Sequence, residues 1–330
     1  MFSPAIQGHR ALRARLLERL QGGRLTRTLL FVGPDGIGKR RVALELAQRQ
    51  LCFRKTACGA CEGCKAFMTD PLPTELPNLL RIAPEGKAGV IKVGAIRDSD
   101  LVEGGVIQWA SLAPPPGCHR WILIEDAHRL NGASANMLLK TLEEPPKGTH
   151  FILVTHRPEA VLQTIRSRSE RVAFAPLHED EAWTVAQAAG WAAADRDRWT
   201  ALSSGTLRFL DEDAFARAAS QVEAWLELAS GGSFQDAAGP LLPDKESDQA
   251  QSEQLRQPLE LLLRILADIA RLRAGQAPGL GPWRTGLEQL AASPLDLRPP
   301  QDTLSTALQN LVRNLSAEPL LREVVGTLRP

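Results

Sequence analysis

Residues 33–40 have the composition and spacing of a phosphate-binding loop. In the complete motif, glycines let backbone N–H groups surround the phosphates, a lysine neutralises the terminal phosphates, and a Ser or Thr hydroxyl holds Mg²⁺. The first two parts are present as Gly33, Gly36, Gly38 and Lys39. Arg40 occupies the hydroxyl position, and a guanidinium has no lone pair to offer a metal ion. The loop therefore predicts weak or absent hydrolysis, with ATP and Mg²⁺ as doubtful cofactors.

Two acidic residues, Glu125 and Asp126, follow a second apolar stretch. ATPases with such a phosphate-binding loop place an Asp that holds Mg²⁺ at the end of this second strand, followed by a Glu that polarises the attacking water. The order in this chain is reversed, so each carboxylate would be misplaced by roughly an ångström or more. The pair predicts a degenerate catalytic site. The alternative is that the two acids only cap the end of a strand in solvent.

Four of the five cysteines form a compact cluster with the spacing C-x₅-C-x₂-C-x₂-C: Cys52, Cys58, Cys61 and Cys64. Gly59 and Gly63 lie inside the turns, where they allow neighbouring cysteines to converge. Four thiolates suit tetrahedral Zn²⁺, and we predict a structural zinc site. Free or disulfide-linked thiols are the alternative, although a cytosolic compartment disfavours disulfides. Cys118 stands apart, and we expect it to be a lone buried thiol.

The segment Thr164-Ile-Arg-Ser-Arg-Ser169 places two arginines after a third apolar stretch. A guanidinium supplied across a subunit boundary can stabilise the charge that develops on a γ-phosphate in another subunit. Such a residue needs no nucleotide in its own subunit. The same sequence is common on solvated surfaces, so the position of this segment within the fold decides its meaning.

Alternating strand and helix patterns surround these residues. We predict strands at Leu29–Val32, Trp121–Glu125 and Phe151–Thr155, with helices at 41–50 and 133–143. This order predicts a parallel sheet with helices on both faces, and it makes a purely structural glycine turn at 33–38 the weaker alternative. After about residue 176 we expect only helices, including Leu255–Arg273 and a region at 303–328, with a linker at 231–247.

The overall composition excludes several classes of protein. The chain has 330 residues, enough for two or three domains, and its 39 basic and 38 acidic residues leave a net charge of +1. A near-zero charge does not favour an independent nucleic-acid or membrane-surface binder. We find no run of about 18 apolar residues and no signal-peptide core, so we expect a cytoplasmic protein without a membrane partner.

Together these motifs resemble the clamp-loader ATPases of bacterial DNA polymerase III. The resemblance rests on the loop at 33–39, the cysteine cluster, Thr164–Arg168 and, most specifically, the segment Asn136-Met-Leu-Leu-Lys-Thr-Leu-Glu-Glu-Pro-Pro146. The altered loop and the reversed acids resemble the delta-prime branch, because the gamma/tau motors keep a Thr or Ser after the lysine. The resemblance is strong over roughly residues 5–210 and only compositional beyond them.

The resemblance implies an AAA+ architecture of three domains. Residues 1–177 would form the nucleotide-fold domain, with a zinc module at 52–64. Residues 178–238 would form a helical lid, and residues 239–330 an all-α collar that joins a hetero-pentameric ring. The expected partners are motor (gamma/tau) and delta subunits, with the sliding clamp and primed DNA reached through the complex.

The resemblance also implies roles for individual residues. Arg168 would be an arginine finger that reaches into a neighbouring motor's ATP site, although Ser169 replaces the Cys that usually follows it. Arg208, in Gly205-Thr-Leu-Arg, would be the basic residue of a second nucleotide sensor. His156 departs from the first-sensor pattern, and we expect it to be a solvated side chain. The implied function is a stator that helps to load the clamp during DNA replication.

Two other functions stay open at this point. The chain could be an ATP-hydrolysing motor of the same complex, with Lys39 and the Glu125–Asp126 pair performing chemistry despite their departures. It could also be a zinc-containing nucleic-acid-binding protein with a vestigial phosphate loop. The near-zero charge and the scarcity of aromatic residues count against the second of these.

Overall fold

The structure is a computed structural model that describes residues 7–68, 72–73, 75–76, 78–84, 89–91, 96, 105–112, 114, 119–243, 248–311 and 316–328. The chain divides into two compact units. The sheet unit comprises Met1–Thr184 and Gly205–Leu207, and the helical unit comprises Val185–Ser204 and Arg208–Pro330. The predicted parallel α/β sheet followed by a helical region is confirmed.

In the part of the sheet unit that the structure describes there are six strands: β1 (Thr28–Val32), β2 (Glu75–Leu76), β3 (Leu79–Ile82), β4 (Arg120–Ile124), β5 (Thr149–Thr155) and β6 (Glu170–Ala173). Their order across the sheet is β2-β3-β4-β5-β1-β6, and only the β2–β3 pair is antiparallel. The three predicted strands are confirmed within two residues at each end. Sequence reasoning missed β2, β3 and β6, which are short and carry charged residues within them.

Helices cover both faces of the sheet, as predicted. They are α1 (Arg10–Gln21), α2 (Lys39–Leu51), α3 (Glu62–Lys65), α4 (Gly105–Ser111), α5 (Gly132–Glu143) and α6 (Gln163–Arg166). Leu29 and Phe31 of β1 pack in one apolar cluster with α1 and α2, whereas Leu30 and Val32 pack in the other with α4 and α5. Strands buried on both faces need nearly continuous apolar runs, which is why β1, β4 and β5 could be predicted.

The helical unit is built from helices around one apolar cluster that draws on residues 202–328. Helix α7 (Glu179–Ala188) leads into it, followed by α8 (Arg196–Ser203), α9 (Glu212–Ala229), α10 (Phe234–Ala237), α11 (Asp248–Arg273), α12 (Arg284–Ala292), α13 (Arg298–Asn310) and α14 (Ala317–Thr327). The buried face of α11 repeats every three or four residues: Leu255, Leu259, Leu262, Leu266 and Ile269. No helix among the described residues is both long and apolar enough to cross a membrane.

The segment at 231–247, predicted to be a linker, is partly a packed element. It contains α10 and a 3₁₀ turn at Gly239–Leu241, and Ala237, Ala238 and Leu241 are buried in the core of the helical unit. Glycine and proline misled the prediction because they also suit tight turns between helices. Residues 244–247 lie outside the described residues. The proposed boundary between a lid and a collar stays a prediction.

Two histidines of the sheet unit face each other, His150 on β5 and His119 immediately before β4. His150 of β5 is only 6% exposed, its ring stacks on Trp121, and its Nε2 lies 3.0 Å from Nδ1 of His119. Burial, with a smaller contribution from His119, lowers the pKa of His150 from 6.5 to about 4. The folded protein therefore holds this ring in its neutral form over the mildly acidic range.

We expect this histidine to make the sheet unit less stable at mildly acidic pH. Between pH 6.5 and about 4 the unfolded chain binds a proton at His150 that the folded chain does not, so stability falls as the pH falls. The shift corresponds to about 3 kcal/mol. Amide hydrogen exchange of β5 at pH 7 and pH 5 measures more than half of this loss, because the folded-state pKa lies near 4. His150→Phe should reduce the pH dependence, whereas His178→Gln, at an exposed position, should not; equal pH dependence in all three proteins would contradict the expectation.

Candidate functional site

The phosphate-loop segment lies between the end of β1 and the start of α2. Gly38 precedes the helix with a left-handed φ of 91°, and the backbone turns from strand to helix over six residues. Gly33 must be glycine, because a Cβ there would collide with the carbonyl oxygen of Phe174, and its φ is also positive. The carbonyls of Gly36 and Ile37 accept hydrogen bonds from Leu207 N and from the ring of His9. The structure thus holds this segment in the strand–loop–helix context that the motif requires.

Lys39 at the start of α2 is turned back onto its own loop. Its Nζ donates to the carbonyl oxygen of Gly33 at 2.8 Å and also to that of Pro34. The side chain is 5% exposed, and this burial lowers its pKa to about 8, although Asp35 and Asp126 favour the charged form. The loop therefore satisfies the lysine with its own backbone carbonyls.

Arg40 makes an ion pair that the sequence did not reveal. Its Nη1 lies 3.1 Å from Oε2 of Glu125, while Arg81 binds Oε1 of the same carboxylate through Nε at 3.0 Å and Nη2 at 2.8 Å. The Arg81–Glu125 pair is largely buried, whereas Arg40 approaches from the solvent side. Both oxygens of the acid at the predicted metal position are thus bound by guanidinium groups. Arg81 could not be predicted because it lies on the missed strand β3.

Asp126 faces two histidines. Its backbone is left-handed, with φ 46° and ψ 53°, and it begins a 3₁₀ turn at Ala127–Arg129. Nδ1 of His156 lies 3.6 Å from Oδ1 of Asp126, and the His156 ring packs against His128 with centroids 4.4 Å apart. The expectation of a solvated His156 is wrong, because its side chain is 22% exposed and faces this cluster. Its neighbour Thr155 is fully buried.

Arg168 follows α6 on the surface of the sheet unit. Its Nε lies 3.2 Å from Oε2 of Glu143, its Nη1 donates to the carbonyl of Thr164 at 3.2 Å, and its side chain is 32% exposed. Neither contact is buried, so the guanidinium can be redirected at small cost. Arg208 lies in the helical unit, where it binds Glu260 and Gln257 of α11. The sensor role of Arg208 stays a prediction.

The four clustered cysteines converge as their spacing predicts. The Sγ atoms of Cys58 and Cys64 are 4.0 Å apart, those of Cys52 and Cys61 are 3.9 Å apart, and the four lie within 4.8 Å of one another. A tetrahedral zinc site with Zn–S bonds of about 2.3 Å has ligand separations of about 3.8 Å. All four are free thiols rather than disulfides. The cluster could therefore hold a metal ion such as zinc.

The local backbone explains how the cysteines meet. Gly63, within α3, allows this helix to approach the end of α2, because a Cβ at this position would collide with the carbonyl oxygen of Leu51. Burial raises the pKa of the Cys52 thiol, but backbone N–H donors from Cys58 and Thr56 outweigh it and lower the pKa to about 5. Such donors favour the thiolate that a metal needs. Cys118 lies outside the described residues.

Comparison with known proteins agrees with this geometry. The sequence pattern of the family described as DNA polymerase III, delta subunit matches residues 8–178, just over half of the chain. DNA polymerase III subunit delta' of Pseudomonas aeruginosa is 40% identical over 139 residues, which cover 42% of this chain and 40% of that protein. The subunit delta' of Escherichia coli is 34% identical over 173 residues, covering 52% of this chain and 48% of that protein.

A subunit named gamma/tau is also similar to this chain. DNA polymerase III subunit gamma/tau of Mycobacterium tuberculosis is 32% identical over 172 residues, which cover 51% of this chain and 28% of that protein. The matched part spans less than half the length of each of these three relatives. The match to the family covers the loop, the cysteine cluster, the two acids and Arg168 together. The chain belongs to the DNA polymerase III delta subunit family.

Proposed function

We propose that this chain is a delta-prime-type subunit of a clamp loader, a stator that does not hydrolyse ATP. In this role it joins gamma/tau-type and delta subunits in a ring, helps to load the sliding clamp onto primed DNA during replication, and supplies Arg168 to a neighbouring ATP site. The observation that carries the proposal is the ion-pair network of Arg40, Glu125 and Arg81. The similarity to two subunits named delta' supports it.

The network argues against hydrolysis in this subunit. A Mg²⁺ ion at the phosphate loop needs oxygen ligands from the protein. Arg40 replaces one such ligand, and the carboxylate oxygens of Glu125 are bound by Arg40 and Arg81. Freeing Glu125 for a metal would break the largely buried Arg81 pair, which is costly because it leaves a charge without its partner.

The lysine supports the same conclusion. In an active loop, Lys39 would extend toward the β and γ phosphates. Here its ammonium group donates to the carbonyls of Gly33 and Pro34, and it is buried. Nucleotide would have to displace these contacts without gaining the usual metal ion. We therefore infer that any nucleotide binding is weak.

We further propose that the four-cysteine cluster holds a structural zinc ion. Cys52, Cys58, Cys61 and Cys64 supply four sulfur ligands and leave no open position for substrate. Zinc bound there ties the end of α2 to α3. We also propose that residues 178–238 and 239–330 act as lid and collar within the assembled ring.

Nucleotide turnover tests the proposal directly. The purified chain should hydrolyse no ATP above the level of its Lys39→Ala variant. Mixed with gamma/tau-type and delta subunits, it should stimulate clamp loading on primed DNA, and the Lys39→Ala variant should stimulate equally. The matched control is the corresponding lysine substitution in the gamma/tau-type subunit, which should abolish loading. Turnover by the isolated chain that is lost with Lys39→Ala would identify a motor and reject the stator.

A further inference from the structure

We propose that Asp126, His128 and His156 form a second divalent-metal site, separate from the cysteine cluster. Two imidazoles and one carboxylate suit Zn²⁺ and leave a fourth position for water or another ligand. The site lies beyond the ends of β4 and β5, beside the phosphate loop, and neither the motif nor the proposed stator function requires it.

The three side chains already have nearly the separation that a common metal ion needs. One ligand atom from each lies within 4.8 Å of the other two. The distance from His156 Nδ1 to Asp126 Oδ1 is 3.6 Å. Ligand atoms at about 2.1 Å from a tetrahedral zinc ion are roughly 3.4 Å apart. Small rotations of the side chains would therefore complete the site.

His128 has a ring nitrogen without a partner. Its Nε2 is buried and makes no hydrogen bond to any described residue, whereas its Nδ1 lies 3.1 Å from Oγ1 of Thr155. The Thr155 oxygen also accepts the backbone N–H of Arg157 at 3.0 Å. A hydroxyl oxygen can accept two hydrogen bonds, so it can also accept the Nδ1 proton of His128. This tautomer leaves the Nε2 lone pair open to a metal, and the threonine then orients the ligand.

The backbone brings the ligands together in an uncommon conformation. Asp126 is not glycine, yet its φ is 46°, and such strain persists where the surrounding structure requires it. The turn places Asp126 and His128 next to each other beyond β4. His156 follows β5, whose Leu153 pairs with Ile124 of β4 in the parallel register. Residues from two adjacent strand ends therefore converge at the same edge of the sheet.

Neighbouring cationic side chains lower the affinity of this site for a metal ion. Arg129 Nε lies 4.0 Å from Oδ2 of Asp126, on the carboxylate oxygen that does not face His156. Arg129 and Arg157 also act on His128 electrostatically. Positive charges near a cation weaken its binding. We therefore expect this site to bind zinc less tightly than the four cysteines do.

Zinc titration of the full chain tests the proposal. The cysteine cluster is first saturated with one equivalent of Zn²⁺, and further ZnCl₂ is titrated by calorimetry without nucleotide. We expect a second equivalent. His156→Gln should weaken the binding of this second Zn²⁺ at least about ten-fold, because losing even a residue that only orients a metal ligand lowers the metal affinity by that factor. His178→Gln is the matched control, since His178 is 75% exposed and pairs with Asp180 outside the cluster.

A second measurement distinguishes loss of the metal site from misfolding of the variant and from nonspecific metal binding. Cu²⁺ added to the zinc-saturated chain should give an electron paramagnetic resonance spectrum with coupling to two imidazole nitrogens, reduced to one in His156→Gln. Thermal melting verifies that the variant is folded. Saturation at one equivalent in the wild-type chain would overturn the proposal, as would a second equivalent that persists in both His156→Gln and Asp126→Asn. Neither result bears on the stator function, because nucleotide and partner subunits are absent.

Discussion

Arg168→Ala is expected to lower ATP turnover by the reconstituted clamp-loader complex at least about ten-fold, without unfolding this subunit. A guanidinium supplied in trans stabilises the charge on the transferred γ-phosphoryl group, and such residues contribute large factors in rate. Arg168 suits this role because its two contacts, with Glu143 and the Thr164 carbonyl, are exposed ones that a neighbouring phosphate can replace. For the same reason its removal should change the stability of the isolated chain by less than about 0.5 kcal/mol.

The matched control is Arg166→Ala. Arg166 is the last residue of α6, two residues before Arg168, and it is exposed, so this variant removes an equal charge from the adjacent surface. Steady-state ATPase assays of the complex with primed DNA and clamp should show the loss for Arg168 and not for Arg166. Arg168→Lys should recover little of the activity, because a lysine cannot reproduce the planar fork of donors. Equal turnover with both alanine variants would show that Arg168 is not the finger.

Removal of metal from the cysteine cluster is expected to unfold residues 52–64 before the rest of the chain. Structural zinc sites contribute large free energies to the folding of the segments that hold them. This segment has few other stabilising contacts, since Phe53 is 90% exposed and only Cys52 and Cys64 of the four cysteines are buried. Chelation followed by thiol capping should make the segment rapidly exchange its amide hydrogens and become sensitive to protease.

Two variants make this prediction specific. Cys64→Ser should release the metal and expose the segment in the same way, because it removes one of four ligands. Cys118→Ala leaves the cluster spacing intact and should retain one zinc per chain by elemental analysis. The sheet unit should keep the exchange protection of β1 and β5 in both proteins. An unchanged melting curve and unchanged protection at 52–64 after metal removal would contradict a structural role for zinc.

Features encoded in contiguous sequence were predictable. The phosphate-loop segment was recognised because its conformation depends on glycines and a lysine within eight residues. The cysteine cluster was recognised because all four cysteines lie within 13 residues, and the structure brings their sulfur atoms to within 4.8 Å of one another. The central strands β1, β4 and β5 were predicted because a strand buried on both faces carries an unbroken apolar run. The short edge strands lack that signal.

The sequence by itself determined the family, the sheet with the helical region that follows it, and the presence of Arg40 where the phosphate-loop motif has a Ser or Thr. Only the tertiary structure decided that Arg40 and Arg81 both bind Glu125, because the three residues come from separate segments of the chain. It also decided that His156 meets Asp126 and His128 rather than solvent. The physical reason is the same in both cases. Parallel strands bring their carboxyl ends to one edge of the sheet, so residues distant in sequence meet there in a register that the pattern of residues does not specify.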